Sequence, residues 1–163
     1  MKPDKYELLI TYLIDHQDKF YRLAFSYVKK KDDALDVVQN AICKALEHHD
    51  ALKNEDALKT WFYRILVNES LLFLKKQKEK LLPDADQELH IPYYEKGYDI
   101  HDDLYDQINQ LDADLQTIIK LRYFEEMSLQ EIADITETNL NTVKSKLYRS
   151  LKLLKQNLEE VAI

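Results

Sequence analysis

The chain is nearly without glycine. Among its 163 residues Gly97 is the only one, beside a single cysteine, a single tryptophan and three prolines. One glycine excludes the glycine-rich loops that wrap phosphate groups, which need several backbone positions that only glycine can occupy. One cysteine, Cys43, excludes an internal disulfide and fits a cytoplasmic protein. The histidines, His16, His48, His49, His90 and His101, show no ligand spacing with that cysteine, so no structural metal is expected. No apolar run approaches the roughly 18 residues that a membrane span requires. The opening stretch MKPDKYELLITYLIDHQDK has acids within its apolar part and no small-residue cleavage site, so it is not expected to be a signal peptide. No nucleophile motif is present either. Neither an enzyme, nor a cofactor, nor a small-molecule substrate is therefore expected.

What the chain has is charge and helical periodicity. With 45% apolar and 33% charged residues it should fold, as one ordinary domain or two small ones. The net charge of −7 is unevenly spread. Residues 1 to 80 hold 15 basic and 13 acidic groups, residues 81 to 112 hold 1 and 9, and residues 113 to 163 hold 7 and 8. The acidic middle contains two of the prolines and the glycine, and its sequence LLPDADQELHIPYYEKGYDIHDDLYD has no sustained helical period. It reads as a flexible linker over residues 81 to 108, between helical domains at 1 to 80 and 109 to 163.

Residues 128 to 155, SLQEIADITETNLNTVKSKLYRSLKLLK, carry the most information. Ser128 and Glu131 have the spacing of a capping box, and Leu129, Ile132 and Ala133 give the short helix after it a buried side. A polar turn follows. In the next helix Leu140, Val143, Leu147, Leu151 and Leu154 recur at three and four residues as an apolar stripe. Asn141, Lys144, Ser145, Tyr148, Arg149 and Lys152 occupy the other side. Five basic residues, Lys144, Lys146, Arg149, Lys152 and Lys155, fall in this helix from Asn139 to Lys155 without an acid. Two readings stand: a solvated lysine-rich surface, or a helix-turn-helix that presents these groups to phosphates and base edges. The capped partner helix and the missing acids favour the second.

The residues before the linker also read as helices. Tyr6, Leu9, Ile10, Leu13 and Ile14 form one stripe, and Phe20, Leu23, Ala24, Tyr27 and Val28 a second. A third helix, capped by Asp32 or Asp33, has Leu35, Val38, Ile42, Ala45 and Leu46 on its inner face. Asp36, Gln39 and Asn40 then lie outward, as solvated surface or as a docking set. A fourth helix runs from about Ala57 to Lys80, with Asn54 or Asp56 near its start. It contains Trp61, Phe62 and Tyr63 in succession. At about 100° per residue three neighbours sweep more than one apolar stripe, so at least one ring should reach the surface. Beside the terminal lysines, which include Lys75 and Lys76, such a ring can stack on an unpaired base. Asn68 shares the face of Trp61, where its amide serves either a base edge or a packing boundary.

At this point the chain resembles a known family. FYRLAFSYVKKKDDALDVVQNAICKAL, then LKTWFYRILVNESLLFLKKQK, then EIA and NTVKSKLYRSLKLLK occur in the order found in extracytoplasmic-function sigma factors of bacterial RNA polymerase. The opening stretch is most similar to the SigV subgroup. The resemblance, from about Phe20 to Leu154, implies an all-α protein of two small helical domains: a sigma region-two domain, an acidic linker that threads the polymerase, and a sigma region-four domain with the helix-turn-helix. It implies that Asp36, Gln39 and Asn40 grip the clamp helices of the largest polymerase subunit. Trp61, Tyr63, Arg64 and Asn68 would open and hold the −10 element, with the loop from about Asp50 to Asp56 receiving a flipped base. Lys144, Ser145, Tyr148 and Arg149 would enter the major groove at the −35 element. The implied partners are core RNA polymerase, promoter DNA and an anti-sigma protein, often membrane-anchored. The alternative is a helix-turn-helix regulator that binds duplex DNA without docking on the polymerase. One departure stands out: Glu137 occupies the turn position where the family usually has glycine. Either Glu137 adopts a left-handed conformation at a cost of about 1 kcal/mol, or Asn139 takes that conformation and the turn shifts.

Overall fold

The computed structural model describes residues 4–81 and 100–161. Every regular element among these residues is helical, and none of the helices is long and apolar enough to cross a membrane. The chain divides into two compact units, Met1–Gln77 and Lys78–Ile163.

In the first unit α1 (Lys5–Asp15) starts at Asp4, whose carboxylate accepts a hydrogen bond from the amide of Glu7 at 2.8 Å. Of the expected stripe only Leu9 and Leu13 are buried, while Ile14 is 60% exposed. The stripe is narrower than its five apolar residues suggested. α2 (Gln17–Val28) buries Phe20, Leu23, Ala24, Tyr27 and Val28, as their spacing predicts. It stops at Lys29, which takes a left-handed φ of 64°.

α3 (Lys31–Glu47) corrects two expectations. Neither Asp32 nor Asp33 caps it; both lie inside its first turn, where their charge still opposes the helix dipole favourably. Its buried face is Ala34, Val37, Val38, Ala41 and Ala45, and Leu35 is left 42% exposed. Three alanines bring the backbones of packed helices close, and a leucine in that row would be overpacked.

α4 (Leu58–Leu81) follows a 3-10 turn, Glu55–Ala57, whose start is capped by the Asn54 side chain, which accepts from the amide of Asp56 at 3.0 Å. Phe62, Tyr63, Leu66 and Val67 point into the core. The Phe62 ring lies 4.4 Å from that of Phe20, and Tyr63 meets Phe20 edge-on at 5.6 Å. Glu69 is buried on the same side and paired with Lys44 of α3.

The second unit takes in the stretch expected to be linker. α5 (Ile100–Gln110) is helical, and Ile108 joins Leu111, Leu115, Ile119 and Leu154 in the core, so the last part of residues 81 to 108 is folded. The rest of that stretch, 82–99, lies outside the described residues. The apolar period of Leu104, Ile108 and Leu111 is too short, and too thickly set with acids, to stand out in the sequence. The Gln116 amide ties α5 to α6 (Ala113–Ile119) by donating to the carbonyls of Asn109 and Leu111, at 3.0 and 2.8 Å. A π-turn, Lys120–Phe124, carries the chain on from α6. Arg122 then braces the next loop by donating to the Met127 carbonyl at 2.9 Å.

α7 (Leu129–Thr136) opens on the expected capping box. The Ser128 hydroxyl accepts from the Glu131 amide, the Glu131 carboxylate accepts from the Ser128 amide, and both distances are 3.0 Å. Ile132, Ala133 and Ile135 are buried. Glu137 ends the helix at φ 56°, ψ 40°, and the amides of Glu137 and Thr138 both donate to the Ala133 carbonyl. The left-handed position thus falls on Glu137. Asn139 instead caps α8 (Leu140–Val161), its side chain accepting from the Thr142 amide at 2.7 Å. Along α8 the fully buried positions are Val143, Ser150 and Leu154, whereas Leu151 is exposed. Ser150 can replace a leucine in that row because its hydroxyl donates to the Lys146 carbonyl at 2.7 Å and leaves no polar group unsatisfied.

A left-handed glutamate is strained by its Cβ. Glu137→Gly should relieve that strain and raise stability by about 1 kcal/mol, net of the extra freedom glycine gives the unfolded chain. Ser128→Ala should lower it by about 1 kcal/mol. Urea unfolding of the two variants should move the midpoint in opposite directions.

Candidate nucleic-acid interface

The capping box and the Glu137 turn fix α7, and Asn139 then starts α8 with its buried row turned inward. Everything opposite that row faces out. Asn141, Lys144, Ser145, Arg149 and Lys152 are exposed, and Tyr148 at 75% is the most exposed large hydrophobic side chain among the described residues. One helix face thus carries an amide, a hydroxyl, a phenol and three cations. Such groups can donate to phosphates, and Arg149 can pair with a guanine edge.

Lys146 stands apart from the other cations of this helix. Its ammonium lies 2.9 Å from the carboxylate of Asp114 on α6. That hydrogen bond holds the Asp114 carboxyl below its ordinary pKa. Of the five basic residues noted in the sequence, Lys144, Arg149, Lys152 and Lys155 remain exposed toward solvent, and Lys146 is engaged within the fold.

The outward side of α4 is set by what its inward side buries. With Phe62 and Tyr63 in the core, Trp61, Arg64 and Ile65 become half-buried, and Asn68, Leu72, Lys75 and Lys76 are exposed. At about 100° per residue Trp61, Asn68 and Leu72 fall within about 20° of one line. Trp61 is therefore the ring of the triplet that reaches the surface. Tyr63 is a correction: at 3% exposure its ring is packed against Phe20 and has no free face for a base. Its apolar body fills the core more favourably than it would be solvated, which the run of three aromatics could not reveal.

On α3, Asp36, Gln39 and Asn40 are all exposed, and the unburied Leu35 adds an apolar contact beside them. Sequence spacing assigned Leu35 to the core and so missed it. The loop between α3 and α4 starts with a 3-10 turn, His49–Ala51, and is anchored by the buried Leu52. The His49 ring donates through Nδ1–H to the Leu46 carbonyl at 2.8 Å and meets Tyr6 of α1 edge-on at 4.9 Å. A cleft of about 280 Å³ opens between α1 and this loop, lined by Leu8, Tyr12, Leu52 and Leu58 with Lys5 and Glu55 among its polar residues. No sequence signal pointed to it, because its walls come from segments forty residues apart.

Two family matches cover these surfaces separately. Residues 13–80 match the family described as Sigma-70 region 2, and residues 101–154 match Sigma-70, region 4. The chain is 47% identical to RNA polymerase sigma factor SigV of Bacillus subtilis, over 91% of this chain and 89% of that protein. It is 28% identical to the ECF RNA polymerase sigma-E factor of Haemophilus influenzae, over 88% and 84%. Among solved structures, the sigma factor RpoE of Bartonella quintana, crystallised with the anti-sigma factor NepR, superposes with a TM-score of 0.72 at 26% identity, covering 91% of this chain and 95% of that one. CnrH, solved with the cytosolic domain of CnrY, has the same fold, with a TM-score of 0.69 at 18% identity, over 93% and 88%. With both regions matched in order and nearly half of the aligned residues shared with SigV, the chain belongs to the extracytoplasmic-function sigma factors of bacterial RNA polymerase.

Proposed function

We propose that this sigma factor divides promoter recognition between two helix faces. The exposed face of α8, with Asn141, Lys144, Ser145, Tyr148, Arg149 and Lys152, reads the −35 element in the major groove. The outward row of α4, with Trp61, Arg64, Asn68, Lys75 and Lys76, holds the opened −10 strand. Asp36, Gln39 and Asn40 on α3 dock on core polymerase, and Leu35 supplies an apolar contact at their edge. The chain acts in the cytoplasm, where polymerase works, and makes or breaks no covalent bond. Binding of splayed bases offsets an unstacking cost of a few kcal/mol per step. By analogy with RpoE and NepR, an anti-sigma protein that covers these faces would keep the factor silent.

The observation that carries this reading is the outward row of α4. A half-buried tryptophan, an exposed amide and exposed lysines lie on one side of a helix whose other side is occupied by the core. A regulator that met only duplex DNA through α8 would have no use for that row.

Polymerase docking and DNA reading should separate by residue. Asp36→Arg places repulsion on the docking face and should weaken core binding in a titration while leaving the thermal stability of the chain unchanged, since Asp36 is exposed. Unaltered core affinity would remove the assignment of α3.

Trp61→Ala tests melting. It should forfeit stacking of roughly 1 to 3 kcal/mol per base, so that closed complexes with core polymerase form but do not open. Permanganate reactivity of unpaired thymines around the start site should fall, and a pre-melted bubble template should restore the transcript. If the variant opens a linear promoter normally, the row on α4 has no part in melting, because Tyr63 is buried and cannot take its place.

A further inference from the structure

The α8 helix carries one lysine that it does not offer to DNA. Lys146 follows Ser145 and precedes Arg149 by three residues, so it borders the exposed face, yet its ammonium is 2.9 Å from the Asp114 carboxylate. Both side chains keep contact with solvent, at 33% and 52% exposure. The pair therefore does not survive merely because water is excluded from it, and a phosphate could approach. A phosphate that took Lys146 would have to break the pair and would leave the Asp114 carboxylate uncompensated beside a polyanion. The favourable release of one counterion from DNA would then be set against a new like-charge contact.

We infer that Asp114 is a specificity-determining residue: it withholds Lys146 from the DNA backbone and so limits the number of phosphates that α8 neutralises. Phosphate contacts carry no sequence information and add equally to right and wrong sites. A factor that must leave random DNA quickly gains from having one contact fewer. The pair also ties α6 to α8, so the same carboxylate that removes a cation from the interface helps to hold the reading helix in place.

This inference rests on the proposed role of α8, and counterion release tests the two apart. The full-length chain is titrated onto a mixed-sequence duplex at a series of salt concentrations, and the slope of log affinity against log salt is measured for each variant. Lys152→Ala should make the slope shallower by about 0.9, the value of one phosphate contact on duplex DNA. Lys146→Gln alone should leave it unchanged. Asp114→Asn should make it steeper by about 0.9, a further loss of about threefold in affinity between 50 and 200 mM salt, with tighter binding at the low end. Adding Lys146→Gln to Asp114→Asn should return the slope to that of the unmodified chain. If Lys152→Ala changes nothing, or the unmodified chain does not bind duplex at low salt, the groove role of α8 fails and this inference fails with it. If Lys152→Ala flattens the slope but Asp114→Asn does not steepen it, the restraint alone is wrong. A flattening by Lys146→Gln overturns it as well, since Lys146 would then already be on a phosphate, and this arm decides the matter even if Asp114→Asn does not fold.

Discussion

The packing of Phe62 against Phe20, with ring centres 4.4 Å apart, is the contact on which the first unit's surface depends. It fixes the rotation of α4 about its own axis. Once Phe62 is inward, the period of the helix sends Tyr63, Leu66, Val67 and Ser70 toward the core and Trp61, Asn68 and Leu72 outward. Burying a large aromatic side chain contributes on the order of 2 to 3 kcal/mol, more than any exposed polar contact can return. The core therefore has first choice of the three consecutive rings, and the outward row of α4 takes the one that is left. The exposure of Trp61 is a by-product of folding in a strict geometric sense: it is available to a ligand because Phe62 and Tyr63 are not.

The second unit solves a similar problem at its turn. The direction of α8 depends on three residues, Glu137, Thr138 and Asn139, each with a separate task. Glu137 supplies the left-handed bend, Thr138 donates back to Ala133, and Asn139 starts the next helix. Glycine at the bend would be less strained, but the hydrogen bonds on either side over-determine the backbone, and the strain is carried by the rest of the unit. The capping box at Ser128 and Glu131 stabilises the other end of α7 by about the amount that Glu137 costs.

Much of this was legible in the residues. The capping box, the α2 stripe, the exposed groups of α8 and the outward set Asp36, Gln39 and Asn40 follow from spacing alone, because each depends only on the helical period. What spacing could not supply was rotation where several apolar residues compete. Leu35 was assigned to the core of α3, but the row of alanines allows closer packing, and Leu35 is displaced to the surface. Leu151 lost its place on α8 to Ser150, whose hydroxyl is satisfied within its own helix. The run Trp61, Phe62 and Tyr63 implies that at least one ring is exposed, but nothing in it says which rings the partner helix takes. The helical part of the expected linker was hidden for another reason: a two-turn apolar repeat among acids has a weak period, and its contribution appears only when α6 and α8 are present to receive it.

Charge raises the last question of design, since a chain of net charge −7 binds a polyanion. Screening resolves it. At physiological salt the Debye length is about 8 Å, so a phosphate responds to the cations within reach and hardly to acids several turns away. None of the acids of residues 81 to 112 lies on α8 itself, where the stretch from Asn139 to Lys155 holds no acid beside Lys144, Arg149 and Lys152. Asp114 is different in kind, because at hydrogen-bond distance no screening intervenes. One carboxylate that close can decide whether a lysine takes part in the interface, while the other acids affect mainly the solubility of the chain and its rate of approach to DNA.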